Sequence, residues 1–251
     1  VDGLTEGSTQ APDRFDLPFS DPLVARLFPP LATEVDWGLD RTTQALAVLG
    51  NPHLSYRTLH IGGTNGKGSV TSMVGSALRV NGTRTACYTS PHLCSFRERL
   101  LIDGEPLPED RVVCYAEEIL DPVLEFGLTF FEAITVLAMH AFAREGVEVA
   151  VMEVGLGGRL DATNVVQPEV TAVTNVALDH AEYLGDSLLE IAGEKAGIMK
   201  AGVPFVTAEI SPIILDVFGE MAEAIGAPMV RVDPHSLTDV EVTASATSMR
   251  M

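Results

Sequence analysis

The chain has 251 residues, 46% of them hydrophobic, which suits one large domain or two small ones with a sizeable core. Its 16 Lys+Arg against 35 Asp+Glu leave a formal net charge of −19. A surface that acidic repels phosphate backbones and anionic headgroups, so nucleic acid and anionic membrane are excluded as expected partners.

In chain order, residues 1–35 read as a polar N-terminal arm without the basic-then-apolar pattern of a secretory signal. Between Asp36 and Leu49, Leu39, Ala45, Leu46 and Leu49 recur at helical spacing, and Gly50-Asn51-Pro52 ends that helix. Arg57 to Ile61 reads as a strand, followed by the glycine-rich run Gly62 to Ser69 and a helix to about Val80. Asn81-Gly82 marks a turn before a strand over Arg84 to Tyr88. Helices are predicted over Pro108–Leu124 and Thr129–Glu145.

The apolar run Val147 to Met152 suits a strand covered on both faces, as parallel sheets require. Further strands are predicted over Val170–Thr174, Val203–Thr207 and near Met229, with helices over Ser187–Lys200 and Pro212–Ile225. Such alternation implies an α/β fold: a doubly wound, mostly parallel sheet with helices on both faces. From Val240 to Met251 the pattern reads as one β-strand cut off partway, the mark of an N-terminal portion of something longer. Cys87, Cys94 and Cys114 are odd in number and lack Cys-x-x-Cys spacing, which speaks against a disulfide framework or structural zinc. No stretch approaches the roughly 20 apolar residues of a membrane span, and a cytoplasmic location is expected.

The chemistry-bearing segment is Gly62-Gly63-Thr64-Asn65-Gly66-Lys67-Gly68-Ser69, set between a strand and a helix. Glycines let backbone N–H groups converge on phosphate oxygens, the helix N-terminus adds partial positive charge, and Lys67 adds a full one. The run departs from the common GxxxxGK[ST] pattern: Ile61 stands where the first glycine would, and Gly68 separates Lys67 from Ser69. Glu153 abruptly ends a buried apolar strand, where open α/β sheets place ligands.

Gly63 to Ser69 resembles the ATP loop of the folylpolyglutamate synthase/dihydrofolate synthase family, within the Mur ligase superfamily. Further blocks agree: Thr89-Ser90-Pro91-His92-Leu93, Thr129-Phe130-Phe131-Glu132, Glu153 to Asn164, Leu178-Asp179-His180 with Leu184-Gly185, and Glu194-Lys195-Ala196-Gly197-Ile198. The resemblance runs from about Val35 to Pro204. It implies a P-loop ATPase domain of Mur-ligase type over residues 36–251, without the C-terminal domain that handles glutamate in that family. The implied reaction joins L-glutamate to the carboxylate of a folate or of dihydropteroate, using ATP and Mg²⁺ and passing through an acyl phosphate.

By the same resemblance, Gly63, Thr64, Asn65, Gly66, Lys67, Gly68 and Ser69 bind ATP. Ser90, Glu153, His180 and a carbamylated Lys195 would hold two magnesium ions, with Lys67, Glu153, His180 and Lys195 as the catalytic set. Without carbamylation Lys195 would be a helix-surface or ion-pair lysine, with Glu190 or Glu194. The pterin would meet Asp36, Trp37, Gly38, Leu39, Thr129, Phe130, Phe131, Glu132, Leu160, Asp161 and Ala162. His92 would shape the Ser90 loop, while His53, His60, His140 and His235 are expected to be structural. A monomer is the family-based expectation. A catalytically incomplete ATP-binding module and a different Mur-type amino-acid ligase are the competing readings.

Overall fold

A computed structural model describes residues 23, 28, 36–233, 238–242 and 247–250. Eight strands form one sheet: β1 (Arg57–Gly62), β2 (Thr85–Tyr88), β3 (Leu100–Ile102), β4 (Glu105–Pro106), β5 (Val149–Glu153), β6 (Val170–Val173), β7 (Phe205–Thr207) and β8 (Met229–Arg231). Their order is β4-β3-β2-β5-β1-β6-β7-β8. All neighbours pair in parallel except β2–β3 and β3–β4, which are antiparallel. The helices are α1 (Asp40–Val48), α2 (Lys67–Val80), α3 (Glu109–Glu125), α4 (Phe130–Arg144), the one-turn α5 (Ala181–Leu184), α6 (Leu188–Ala196) and α7 (Pro212–Ile225).

The pleat of β5 shows why both faces are covered. Ala150 and Met152 join the main core with Ile134, Leu137 and Phe142 of α4, whereas Val151 points oppositely, towards Val70, Val74 and Leu78 of α2. A further core packs β6 and β7 against α6 and α7, where Phe205 meets Phe218 edge-on. Burying each such aromatic side chain contributes roughly 1.5–3 kcal/mol.

Several boundaries moved. The first helix starts at Asp40 rather than Asp36, after Gly38 turns the chain at a φ of 152°. The strand expected over Val147–Met152 spans Val149–Glu153, so Glu153 is its last residue. Strands β3 and β4, three and two residues long, are too short to show a periodic pattern. Where one interrupted strand was expected after Val240, β9 (Thr238–Val242) and β10 (Thr247–Arg250) form a separate antiparallel pair. The N-terminal arm reading lies outside the described residues, except that Leu23 and Phe28 are buried in the main core and Phe28 meets Phe130 edge-on. Among the described residues no helix is long and apolar enough to cross a membrane.

Candidate functional site

The phosphate loop leaves β1 at the carboxyl edge of the sheet, with β5 on one side and β6 on the other. Its shape is imposed by the segment after β6. Thr64 donates its amide to the Asn175 carbonyl (2.9 Å), and Asn65 its amide to Asn175 Oδ1 (3.1 Å). In return the Asn65 carbonyl accepts from Thr174 Oγ1 (2.7 Å) and Asn175 Nδ2 (3.0 Å). Gly63, at a φ of 134°, lies so close to Thr174 that a Cβ there would overlap the threonine hydroxyl. Thr174 and Asn175 were not singled out in the sequence; their only signal is polarity just past the apolar end of β6.

Helix α2 begins at once, with Gly66 left-handed as its N-cap, and its first backbone bond runs from the Val70 amide to the Gly66 carbonyl (3.0 Å). The amides of the first turn before Val70 therefore have no intrahelical acceptor. Lys67 folds back over the loop, donating to the carbonyls of Gly63 (3.0 Å) and Thr64 (3.1 Å). Convergent amides, a helix N-terminus and an ammonium fit a polyphosphate.

Glu153 is buried beside this turn and accepts the Ser90 amide at 3.1 Å and the Gly68 amide. Burial raises its pKa, and the amides of Ser90 and Gly68 with the charges of Lys67 and Arg99 oppose that rise. The Ser90 turn is braced from behind by buried Arg99, whose Nε donates to His92 Nδ1 at 2.8 Å.

Lys195, on the last turn of α6, is 3% exposed and donates to the Gly63 carbonyl at 3.1 Å. It is neither a surface nor an ion-pair lysine: Glu194 pairs with Arg159, and Glu190 closes the capping box with Ser187. Burial, then the charge of Lys67, pulls the Lys195 pKa down to about 8, while Asp179 and Asp161 favour its charged form. His180 caps α5 in the left-handed region, half-exposed, with its imidazole 3.7 Å from Asp179. Among the described residues no hydrogen bond or ion pair joins His180 to Ser90, Glu153 or Lys195. Nor do three or more His, Cys, Asp or Glu side chains gather as a metal cluster there. The side chain of the Leu178-Asp179-His180 run that acts on Lys195 is Asp179.

Of the residues expected to meet the pterin, Asp36 and Glu132 are joined by Arg41. It contacts Asp36 and forks onto buried Glu132 at 3.0–3.2 Å, while Glu132 closes a capping box with Thr129 at the start of α4. Arg41 went unnoticed in the sequence because its partner lies 91 residues away. Phe131 lies directly over Gly155, and Trp37 reaches the Gly157 turn, whereas Phe130 is buried in the main core. Asp161, expected to receive pterin N–H groups, is buried and holds its own loop. One of its oxygens accepts from Thr163 N (2.9 Å) and Thr163 Oγ1, the other from Leu156 N (2.8 Å), and the Gly155 amide also reaches it. Its hydrogen-bonding capacity is thus spent on the loop that carries Leu160 and Ala162.

The Mur ligase middle domain matches residues 61–216, the stretch that carries this loop, strands β2 to β7 and the lysine pair. The chain belongs to the Mur ligase family. Within this family it is similar to folylpolyglutamate synthases and dihydrofolate synthases. It is 39% identical over 213 residues to the folylpolyglutamate synthase of Lacticaseibacillus casei, covering 82% of this chain and 49% of that protein. It is 40% identical over 198 residues to the dihydrofolate synthase/folylpolyglutamate synthase of Bacillus subtilis, covering 76% and 46%. The crystal structure of Mycobacterium tuberculosis folylpolyglutamate synthase, complexed with ADP and AMPPCP, superimposes with a TM-score of 0.80 at 35% identity, covering 84% of this chain and 51% of that one. The chain spans about half the length of the curated relatives it matches.

Proposed function

We propose that this Mur ligase domain serves an ATP- and Mg²⁺-dependent ligase that adds L-glutamate to the carboxylate of a folate or of dihydropteroate. The observation that carries the reading is the convergence of Lys67, Lys195, Glu153 and the α2 amides on one turn at the carboxyl edge of the sheet. The similarity to folylpolyglutamate and dihydrofolate synthases supports the substrate class.

A carboxylate is a poor electrophile because it is anionic and lacks a good leaving group. In the proposed reaction a carboxylate oxygen attacks the γ-phosphorus, the bond to the β-phosphate oxygen breaks, and ADP leaves behind an acyl phosphate. The glutamate amine then attacks the acyl carbon, phosphate departs, and the amine gives up a proton. Lys67 and the first-turn amides hold the phosphates in line and offset charge where it develops. Phe131, Trp37 and the Leu160–Ala162 loop, kept in shape by Asp161, bound the acceptor.

Magnesium, when bound, neutralises phosphate oxygens; Ser90 and Glu153 supply hard oxygen donors suited to it, and His180 completes the proposed set. A lysine ammonium does not fit a cation site. Lys195 fits only as its carbamate, formed when the neutral amine adds CO₂ and releases a proton. Its buried position and pKa of about 8 raise the share of that neutral form well above that of an ordinary lysine, although the ammonium still predominates at neutral pH.

The test mixes the chain with ATP, Mg²⁺, the folate or dihydropteroate, and radiolabelled glutamate. Label incorporation with phosphate release supports the reading. Nucleotide binding without turnover supports the narrower reading of an ATP-binding module of such a ligase. Activity on a nucleotide-linked acid and none on folates would point to a different Mur-type ligase.

A further inference from the structure

His60 lies on β1, three residues before Gly63, and is fully buried beside the loop that follows β5. Its Nε2 is 2.8 Å from Thr163 Oγ1, and Thr163 Oγ1 in turn contacts Asp161 Oδ1. Donor arithmetic fixes the direction of this chain. An ionised Asp161 only accepts, so the single hydroxyl proton of Thr163 goes to Asp161. The Thr163 oxygen then accepts from His60, which places the imidazole proton on Nε2 and leaves Nδ1 bare. Nδ1 is the ring nitrogen with no partner in the structure. Burial, reinforced by the charge of Lys200, pushes the His60 pKa down to about 3, keeping the ring neutral.

What Asp161 holds gives the chain its meaning. The carboxylate ties down Leu156, Gly155 and Thr163, the two ends of the loop 155–163. Phe131 covers Gly155, Trp37 reaches Gly157, and Gly158 fits so tightly that a Cβ would come within 2.8 and 2.9 Å of the Glu194 and Lys195 carbonyls. The loop therefore runs from the aromatic face proposed for the acceptor to the backbone of Lys195. We infer that His60 is a positioning residue for acceptor binding: through Thr163 it locks Asp161, and with it the loop that seats the acid-bearing substrate, against the strand that delivers the phosphate loop. This rests on the ligase reading for the identity of the acceptor, though the lock itself does not.

Three measurements on the chain test it. Nitrogen-detected NMR of the wild-type protein is expected to show His60 protonated at Nε2 and bare at Nδ1; a proton on Nδ1 would overturn the proposal. In Thr163→Val and His60→Leu, amide exchange at Leu156 and Thr163 is expected to accelerate by about fivefold to tenfold, with Thr64 and Asn65 unchanged. Thr163→Ser and His60→Gln, which keep a hydroxyl and an N–H donor, are expected to restore protection. Unchanged exchange, or equal acceleration at both loops, would overturn it. If the first two variants do not fold, wild-type NMR and the donor-keeping pair decide, since loss of protection in either of the latter contradicts the lock. Quenching of Trp37, the sole tryptophan, reports dihydropteroate binding. Its Kd is expected to rise about tenfold in Thr163→Val, with the Kd for Mg-ATP unchanged. A matched rise for both ligands would mark a merely structural role. If wild type binds neither folate nor dihydropteroate, the ligase reading fails while NMR and exchange still judge the lock.

Discussion

Lys67, in the phosphate loop, and Lys195, on α6, donate to the same acceptor, the Gly63 carbonyl oxygen, at 3.0 and 3.1 Å. Two ammonium groups on one oxygen repel each other, and Lys195, the more deeply buried, carries the depressed pKa of about 8. Between about pH 8 and the ordinary lysine value of 10.5 the unfolded chain holds a proton that the folded chain has lost. The contribution of Lys195 to folding stability therefore rises with pH across that window, by up to about 3 kcal/mol. Urea denaturation of wild type and Lys195→Met, in buffers stripped of CO₂, is expected to show the stability of wild type gaining on that of the variant across this window, because Lys200, Cys87, Tyr56 and Tyr88 titrate alike in both. The same slope in both would contradict it.

Glu153 carries the opposite burden. Burial raises its pKa above the usual carboxylate value, so its charge opposes folding at neutral pH and is relieved as pH falls towards the raised value. Glu153→Gln is expected to leave thermal stability without ligand equal or higher by about 1 kcal/mol. The stabilisation that Mg²⁺ adds to bound nucleotide is expected to vanish. Thermal melts with ATP, in Mg²⁺ and in EDTA, check both halves.

The loop glycines should separate by cause. Gly63→Ala drives a methyl into Thr174, whereas a Cβ at Gly66 meets nothing within 4 Å and bears only the strain of a φ of 82°. Gly66→Ala is expected to cost about 1–2 kcal/mol. Gly63→Ala should cost more and weaken nucleotide binding at least about tenfold through the displaced Thr174–Asn65 contacts. Denaturation and nucleotide titration of the two variants make the comparison.

Arg41→Met leaves the Glu132 carboxylate buried without its cation, at an expected cost of about 2–4 kcal/mol. Adding Glu132→Gln should recover part of it, because the stranded charge is then gone. Denaturation of the single and double variants measures the coupling. A double variant no more stable than Arg41→Met would contradict the pairing.

The sheet was legible because β5 announces itself by an apolar run, β1 and β6 by short stretches rich in β-branched residues, and Gly62–Ser69 by its place between strand and helix. The short β3 and β4 carry too few residues to show a period. Within the site, Lys67 and Glu153 stood out by position, at a glycine turn and at a strand end. What holds them did not: Thr174 and Asn175 reach across the fold to Asn65, and pairings of that kind leave no local pattern. The contacts of Asp161 with Leu156 and Thr163 were equally invisible, because they depend on how the loop after β5 folds back on itself.

The grip of the loop on triphosphate is tested most directly by titrating the folded chain with Mg-ATP in a calorimeter, beside Lys67→Ala. Wild type is expected to bind with measurable heat, and Lys67→Ala to bind roughly 100-fold more weakly, the loss of a charge-assisted contact of about 3 kcal/mol. No heat from well-folded wild type, or the same affinity in both proteins, would contradict it.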